Sequence, residues 1–297
     1  VPSTLKWTAT LRATSSIAHG GETRGTITLL RRELVLTPLG VPIHVPIVSG
    51  NGRRGRLRRI GEELLRDVLH YEQQLPLAAA HALRGGGSLA KTTGEPLSGR
   101  RLQTLRELIP QVGVFGCAAG GRIIDGCLQV GKVVPHLAET SHILDPAPQA
   151  ALPAFDATQI ETYVRQDDTS NHAFAELTAV DRIPVIDGIP QLDELPEASD
   201  TDQLMRYRIE TLPAGTTMST WLRLDRATPL EVAFFTEVLE VFTRDGRIGG
   251  RAAIGHGQVA TELTCTQLVG EPAEAVDWRA HLLADPAAAI TALQALA

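Results

Sequence analysis

The sequence predicts an α+β fold in which two strand–helix–strand halves combine into a ferredoxin-like βαββαβ sheet with helices on one face. Three observations carry this. Leu5–Ile17 alternates as a strand does, and Leu57, Ile60, Leu64 and Val68 then recur at the three- and four-residue spacing of a helix with one buried face. Strands at Met205–Leu212 and Met218–Leu224 precede a second helix, whose apolar face is Leu230, Phe234, Val238, Val241 and Phe242. Finally, 43% of the 297 residues are apolar, enough for a sizeable core, and with 4% aromatics that core rests on aliphatic side chains.

The remaining elements follow in chain order. A polar turn at His19-Gly20-Gly21-Glu22 leads to a strand in Thr26–Leu36, and the apolar run Ile43–Val48 leads into Ser49-Gly50-Asn51-Gly52. Ser49 or Asn51 serves as the N-cap of the first helix. Residues 85–99 read as a loop, and Arg100–Ile109 as a helix that stops at Pro110. Val112–Val134 reads as two strands joined by the glycine-rich turn Ala118–Gly121. The proline- and acid-rich stretch 146–203 reads as an inserted arm, with strands at Gln159–Arg165 and near Ala175–Ile183. Pro229 suits the first turn of the second helix, since its missing N–H is not needed there, and Asp245-Gly246 ends it. A second glycine-rich run (Gly249–Gly257), a strand (Gln258–Thr266) and an Ala-rich helical tail complete the chain.

Charge is unevenly placed. The net charge is -6, yet Gly50–Arg59 holds five arginines and no acid, while Asp181–Asp202 holds seven acids and one arginine. Fields act over about 10 Å at 0.1 M salt, so a basic patch works on an acidic protein. Three cysteines without a CxxC pair argue against a disulfide framework or a zinc site, and fit a reducing cytosol. The first residues, VPSTLKWTAT, do not read as a signal peptide, and no apolar run approaches 18 residues, so a cytoplasmic protein without a membrane span is expected.

The strongest local signal for chemistry is Ser49–Arg59. Glycines permit close backbone approach, N–H groups at a helix start attract anions, and arginine forks match phosphate oxygens. The alternative is a solvated basic helix. The run Gly249–Gly257, with Arg251 and His256, offers a second backbone-contacting loop, or simply a turn. Gly126–Lys132 imitates a P-loop but is rejected: Val133 replaces the magnesium-holding hydroxyl, and Pro135 stands where a helix should begin. Asp167-Asp168 point to opposite faces of an extended strand and read as turn acids; His136 and His142 lack a supporting cluster. No catalytic residue, metal site or cofactor is expected.

Five segments together resemble the backbone subunit of multi-subunit CRISPR effectors, the "Cas seven" branch of the RAMP superfamily, in the style of type IV systems. They are His44–Arg59 (HVPIVSGNGRRGRLRR), Phe115–Gly131 (FGCAAGGRIIDGCLQVG), Tyr163–Asp168 (YVRQDD), Leu212–Thr217 (LPAGTT) and Gly249–Gly257 (GGRAAIGHG). The resemblance implies an RNA-recognition-motif-like palm at 1–145 and 204–297, with a helical insertion near 60–110 and a thumb hairpin within 146–203. It also implies a role: copies bind guide RNA (crRNA) head-to-tail and present it for pairing with target nucleic acid, beside other effector subunits. Because pairing reads the sequence, the protein needs to hold only shape and backbone. Gly50, Asn51, Arg53 and Arg54 fall at the family's guide-phosphate positions. The expected RNA-contacting set also includes Ser49, Gly52, Arg58, His19, Arg165, Gly249, Gly250, Arg251 and His256. RNA-cutting relatives carry an aspartate shortly before the equivalent of Val48-Ser49-Gly50, but here no acid occurs from Val35 to Asn51. A non-catalytic role is therefore expected; a RAMP-type endoribonuclease and an RNA-independent scaffold are the alternatives.

Overall fold

The computed structural model describes residues 2–87, 99–119, 122–148, 151–163, 185–186, 189–190, 206–272 and 274–296. Its strands are β1 (Ser3–Ala13), β2 (Gly20–Arg24), β3 (Ile27–Leu30), β4 (Arg32–Leu36), β5 (Pro42–Pro46), β6 (Cys117–Ala119), β7 (Arg122–Ile124), β8 (Leu128–Val130), β9 (Val134–Pro135), β10 (Gln159–Tyr163), β11 (Val185–Ile186), β12 (Ile189–Pro190), β13 (Tyr207–Thr211), β14 (Thr217–Ala227) and β15 (Val259–Val269). The α-helices are α1 (Gly50–Leu69), α2 (Leu77–Gly85), α3 (Gly99–Leu108), α4 (Pro110–Phe115), α5 (Pro229–Asp245), α6 (Trp278–Leu283) and α7 (Pro286–Gln294).

The central sheet runs β15-β1-β14-β8, antiparallel throughout, and β9 extends it along β14. With α1 after β1 and α5 between β14 and β15, this is the expected βαββαβ order of an α+β, ferredoxin-like palm. Alternation sets the two faces. Trp7, Ala9, Leu11 and Ala13 of β1, and Met218, Leu222 and Leu224 of β14, turn inward and are buried. Thr8, Thr10 and Arg12 stay exposed on the opposite face.

The helices form where their signals lie. Ser49 caps α1 by accepting the Gly52 N–H, and Leu57, Ile60, Leu64 and Val68 are all buried. Helix α5 opens on a reciprocal capping box between Thr228 and Glu231, carries Pro229 in its first turn, and ends at Gly246 in the left-handed conformation. Phe234 and Phe235 of α5 meet Trp278 and Trp7 edge-on at 5.1 and 5.4 Å, tying α6 and the sheet to one core.

Three local expectations are corrected. The polar stretch after His19 is no turn: Gly20–Arg24 forms β2, within a second sheet of order β10-β13-β3-β2. Pro110 does not merely end α3; as the first residue of α4 it makes Val112–Phe115 helical where a strand was expected. The expected second strand of that region, after the turn Ala118–Gly121, is split into β7, β8 and the start of β9, and β7 pairs back onto β6. The arm strand expected near Ala175–Ile183 lies outside the described residues. Among the described residues no helix is long and apolar enough to cross a membrane.

Candidate nucleic-acid interface

The first turn of α1 borders a groove of about 460 Å³, walled by Arg31 and Arg32 from the β3–β4 junction and by Val130 and Lys132 from the end of β8. Ser49, Gly50, Asn51 and Arg54 form its floor on the helix side. The helix is 20 residues long and has no acid in its first turn, so its N-terminal partial positive charge is uncompensated from within. The groove holds four basic side chains. Two have acidic partners: Arg32 forms a bidentate pair with buried Glu210, and Lys132 pairs with Glu33. Burial alone would raise the Glu210 pKa, but hydrogen bonds from Arg32 and the Leu30 N–H outweigh it and lower the pKa. Arg31 is exposed, and among the described residues it has no acidic partner within 4.0 Å.

His19 holds the helix start from behind. Its Nε2 accepts the Ser49 N–H at 3.1 Å and lies 3.1 Å from the Ser49 Oγ. An accepting Nε2 requires the neutral imidazole with its proton on Nδ1. Burial, followed by the Arg31 charge, lowers the His19 pKa accordingly. The native state therefore binds fewer protons than the unfolded chain between this lowered value and the ordinary value near 6.5. The cap contributes fully above about pH 6.5, and its contribution is lost as pH falls through the folded-state value. Denaturant midpoints should fall as the pH is lowered from 7.5 to 5. His19→Asn should remove that part of the slope; an unchanged slope would take His19 out of the cap.

Three arginines of α1 lie elsewhere than expected. Arg53 is 1% exposed: its Nη1 donates to Thr220 Oγ1 at 2.6 Å, and its guanidinium sits over the Phe242 ring. Burial brings its pKa down to about 10. Arg58 is buried, donating to the carbonyls of Gly116 at 2.6 Å and Phe115 at 2.7 Å. Arg54 is half-buried and donates to the carbonyls of Phe115 and Leu128. Arg54 and Arg58 thus satisfy carbonyls at the end of α4, where a helix leaves acceptors unpaired and favours positive charge. Arg53 and Arg58 are corrected to buried residues that serve the protein's own acceptors, while Arg54 serves such acceptors and also borders the groove. Gly50 is needed for packing: a Cβ there would stand 2.8 Å from the Val130 carbonyl.

The second glycine-rich run is also structural at its core. Gly249 (φ 74°) and Gly257 (φ 93°) sit where a Cβ would come within 2.3 Å of the carbonyls of Ala18 and Ile248, and the Gly250 N–H donates to the Ala18 carbonyl at 2.7 Å. His256 is corrected from a ligand-facing residue to a buried one, 3% exposed. Its Nδ1 is 2.9 Å from Ser16 Oγ, and its Nε2 is 2.7 Å from the Tyr163 hydroxyl. That hydroxyl donates to Glu161 at 2.8 Å, as does Thr211. Burial would raise the Glu161 pKa, but these hydrogen bonds, with one from Ser16 and the His256 charge, pull it down to about 2. Tyr163 stacks on Tyr207, with Arg251 over the Tyr207 ring at 5.2 Å. The loop therefore braces β10 and β13, the two strands that flank residues 164–206, and Arg251 keeps its exposed position there. Arg165 lies outside the described residues.

Sequence reading missed Arg31, Arg32 and Lys132. The signal for the first two was the Arg-Arg interruption of an apolar strand run, ITLLRRELVL. Lys132 falls within the rejected P-loop match, and the structure supplies no helix after it, only β9.

No protein-family model matches the chain, and neither does any curated protein. Among solved structures it is similar to a chain described as "Type IV-B CRISPR Complex", at 33% identity and a TM-score of 0.63, over 94% of this chain and 99% of that one. This chain is a type IV CRISPR-complex subunit. The likeness spans 94% of this chain, so it extends over nearly the whole length rather than over isolated motifs.

Proposed function

We propose that this type IV CRISPR subunit holds guide RNA by its phosphates in the groove at the start of α1, without reading base identity, and does so in successive copies along one strand. The carrying observation is the groove itself: the acid-free N-terminus of a 20-residue helix, with its own Arg54, faces Arg31 and Lys132 across one trough. In this reading 1–145 and 204–297 form the palm, 146–203 form the arm toward the neighbouring copy, and other effector subunits and the target strand join the assembly. The subunit is non-catalytic: His19 Nε2, the nearest candidate base, already accepts the Ser49 N–H.

Binding of single-stranded RNA, followed by fluorescence anisotropy from 50 to 300 mM salt, tests this. Each neutralised phosphate should contribute about -0.7 to the log–log slope, so two per subunit give about -1.4. Oligonucleotides of equal length and different sequence should bind alike. RNA recovered intact after incubation, with and without divalent metal, is expected. A slope near zero, or cleavage of the RNA, would overturn the proposal.

A further inference from the structure

Beside the groove lies a second, larger cleft of about 1090 Å³, between the helix-free face of the central sheet and the β4–β5 hairpin. Glu33, Ile47, Val130 and Lys132 line both spaces, so the two lie side by side and share a wall. On the floor of the cleft, on the central strand β14, lies Trp221. It is 40% exposed, whereas Trp7 and Trp278 are 7% and 3% exposed in the core. The indole lies across Gly131, where a Cβ would fall 2.7 Å from its Nε1, so the bare backbone makes room for the ring. Among the described residues the Nε1–H has no acceptor.

From this placement we infer that the cleft is a nucleobase pocket, in which one base of the strand held at α1 turns inward and stacks on Trp221. The inference rests on the groove reading and adds an interaction that reading lacks. Three features select a base as the occupant. An exposed indole offers a flat π-face, which every base can match. The surrounding floor is hydroxyl-rich (Thr8, Thr10, Thr264), and a hydroxyl both donates and accepts, so it serves any base without choosing among them. Lys132, on the shared wall, stands where the phosphate of the inserted nucleotide would enter. Ferredoxin-like sheets with aromatics on two central strands stack two or three bases. Here β1 presents Thr8 and Thr10 instead, and the face carries one stacking ring, so one base per subunit is the capacity it supports.

The test uses the whole chain and its intrinsic tryptophan emission. Titration with a uridine or adenosine oligoribonucleotide should quench and shift the emission, and an oligomer of the same length with abasic residues should bind about 5- to 150-fold more weakly. Trp221→Phe should keep most of the affinity but lose the emission change. Trp221→Ala should lower affinity for the base-bearing RNA to that for the abasic one, with the salt slope unaltered. Equal binding of base-bearing and abasic RNA by the unaltered protein overturns the pocket and leaves the groove reading standing. Salt-independent or absent RNA binding overturns the groove reading and the pocket together. Quenching that rises with protein concentration in the absence of RNA would assign the cleft to another copy of the chain, and would also overturn the pocket.

Discussion

Arg58→Ala is expected to cost about 3 kcal/mol of stability or more, while Arg53→Met should leave stability unchanged or higher. Both arginines are buried in the same helix, and their partners decide the difference. Arg58 donates to two carbonyls at the end of α4, and it lies over the Phe115 ring. Hydrogen bonds to a charged group are worth about 1.5–3 kcal/mol each, and removing the arginine strands the Gly116 carbonyl in the interior. The loss corresponds to a melting point about 6–12 °C lower. Lysine should rescue little, because one ammonium cannot reproduce a planar fork across two carbonyls. Arg53 is the opposite case. Its Nε and Nη2 have no partner, and no carboxylate lies within ion-pair distance among the described residues. Its acceptors keep other bonds: the Trp221 carbonyl accepts the Gly131 N–H at 2.9 Å, and Thr220 Oγ1 reaches the Gly131 carbonyl at 3.3 Å. Methionine of similar length therefore orphans nothing and removes a desolvated charge. Chemical denaturation of the two variants checks the contrast; equal losses would show that Arg53 carries an interaction beyond those described.

The same pair shows what the sequence made legible and what it hid. The two helices of the palm could be read because their signals are local: period, N-cap, Pro229 and the Gly246 stop all lie within the element they define. The inward turn of Arg53 was also encoded. It stands four residues before Leu57, which extends the buried stripe Leu57–Ile60–Leu64 by one turn toward the N-terminus. Reading arginine as a surface residue overrode that register. The carbonyls that Arg58 serves lie 57 and 58 residues further along the chain, and nothing near Arg58 announces them. The groove was hidden for the same reason, since Arg31, Arg54 and Lys132 meet only once β4, α1 and β8 have packed. Glycine was ambiguous in a different way. Gly50 and Gly249 permit close approach as expected, but what approaches is the protein's own Val130 and Ala18 carbonyls.

Removing charge on either side of the groove should move RNA affinity in opposite directions. For each phosphate that is no longer neutralised, a slope change of about 0.7 corresponds at 0.1 M salt to roughly a fivefold weakening relative to 1 M, where counterion release no longer helps. Arg31→Ala with Lys132→Ala should therefore weaken binding about 25-fold at 0.1 M salt and flatten the slope by about 1.4. Stability should change little, because Lys132 and Glu33 form a partly exposed pair of the kind worth at most about 1 kcal/mol. Glu33→Gln tests the other sign. In the free protein Glu33 holds Lys132, so a phosphate must displace a carboxylate before it can bind there. Removing that competitor should tighten RNA binding by up to about fivefold and leave the slope intact, since as many phosphates are neutralised as before. Lys132→Ala alone should account for about fivefold of that weakening, whereas a purely structural Lys132–Glu33 pair would make Lys132→Ala and Glu33→Gln each slightly less stable and would leave both affinities where they began. Opposite shifts in affinity from the two partners of one ion pair require that the pair sit where the nucleic acid binds.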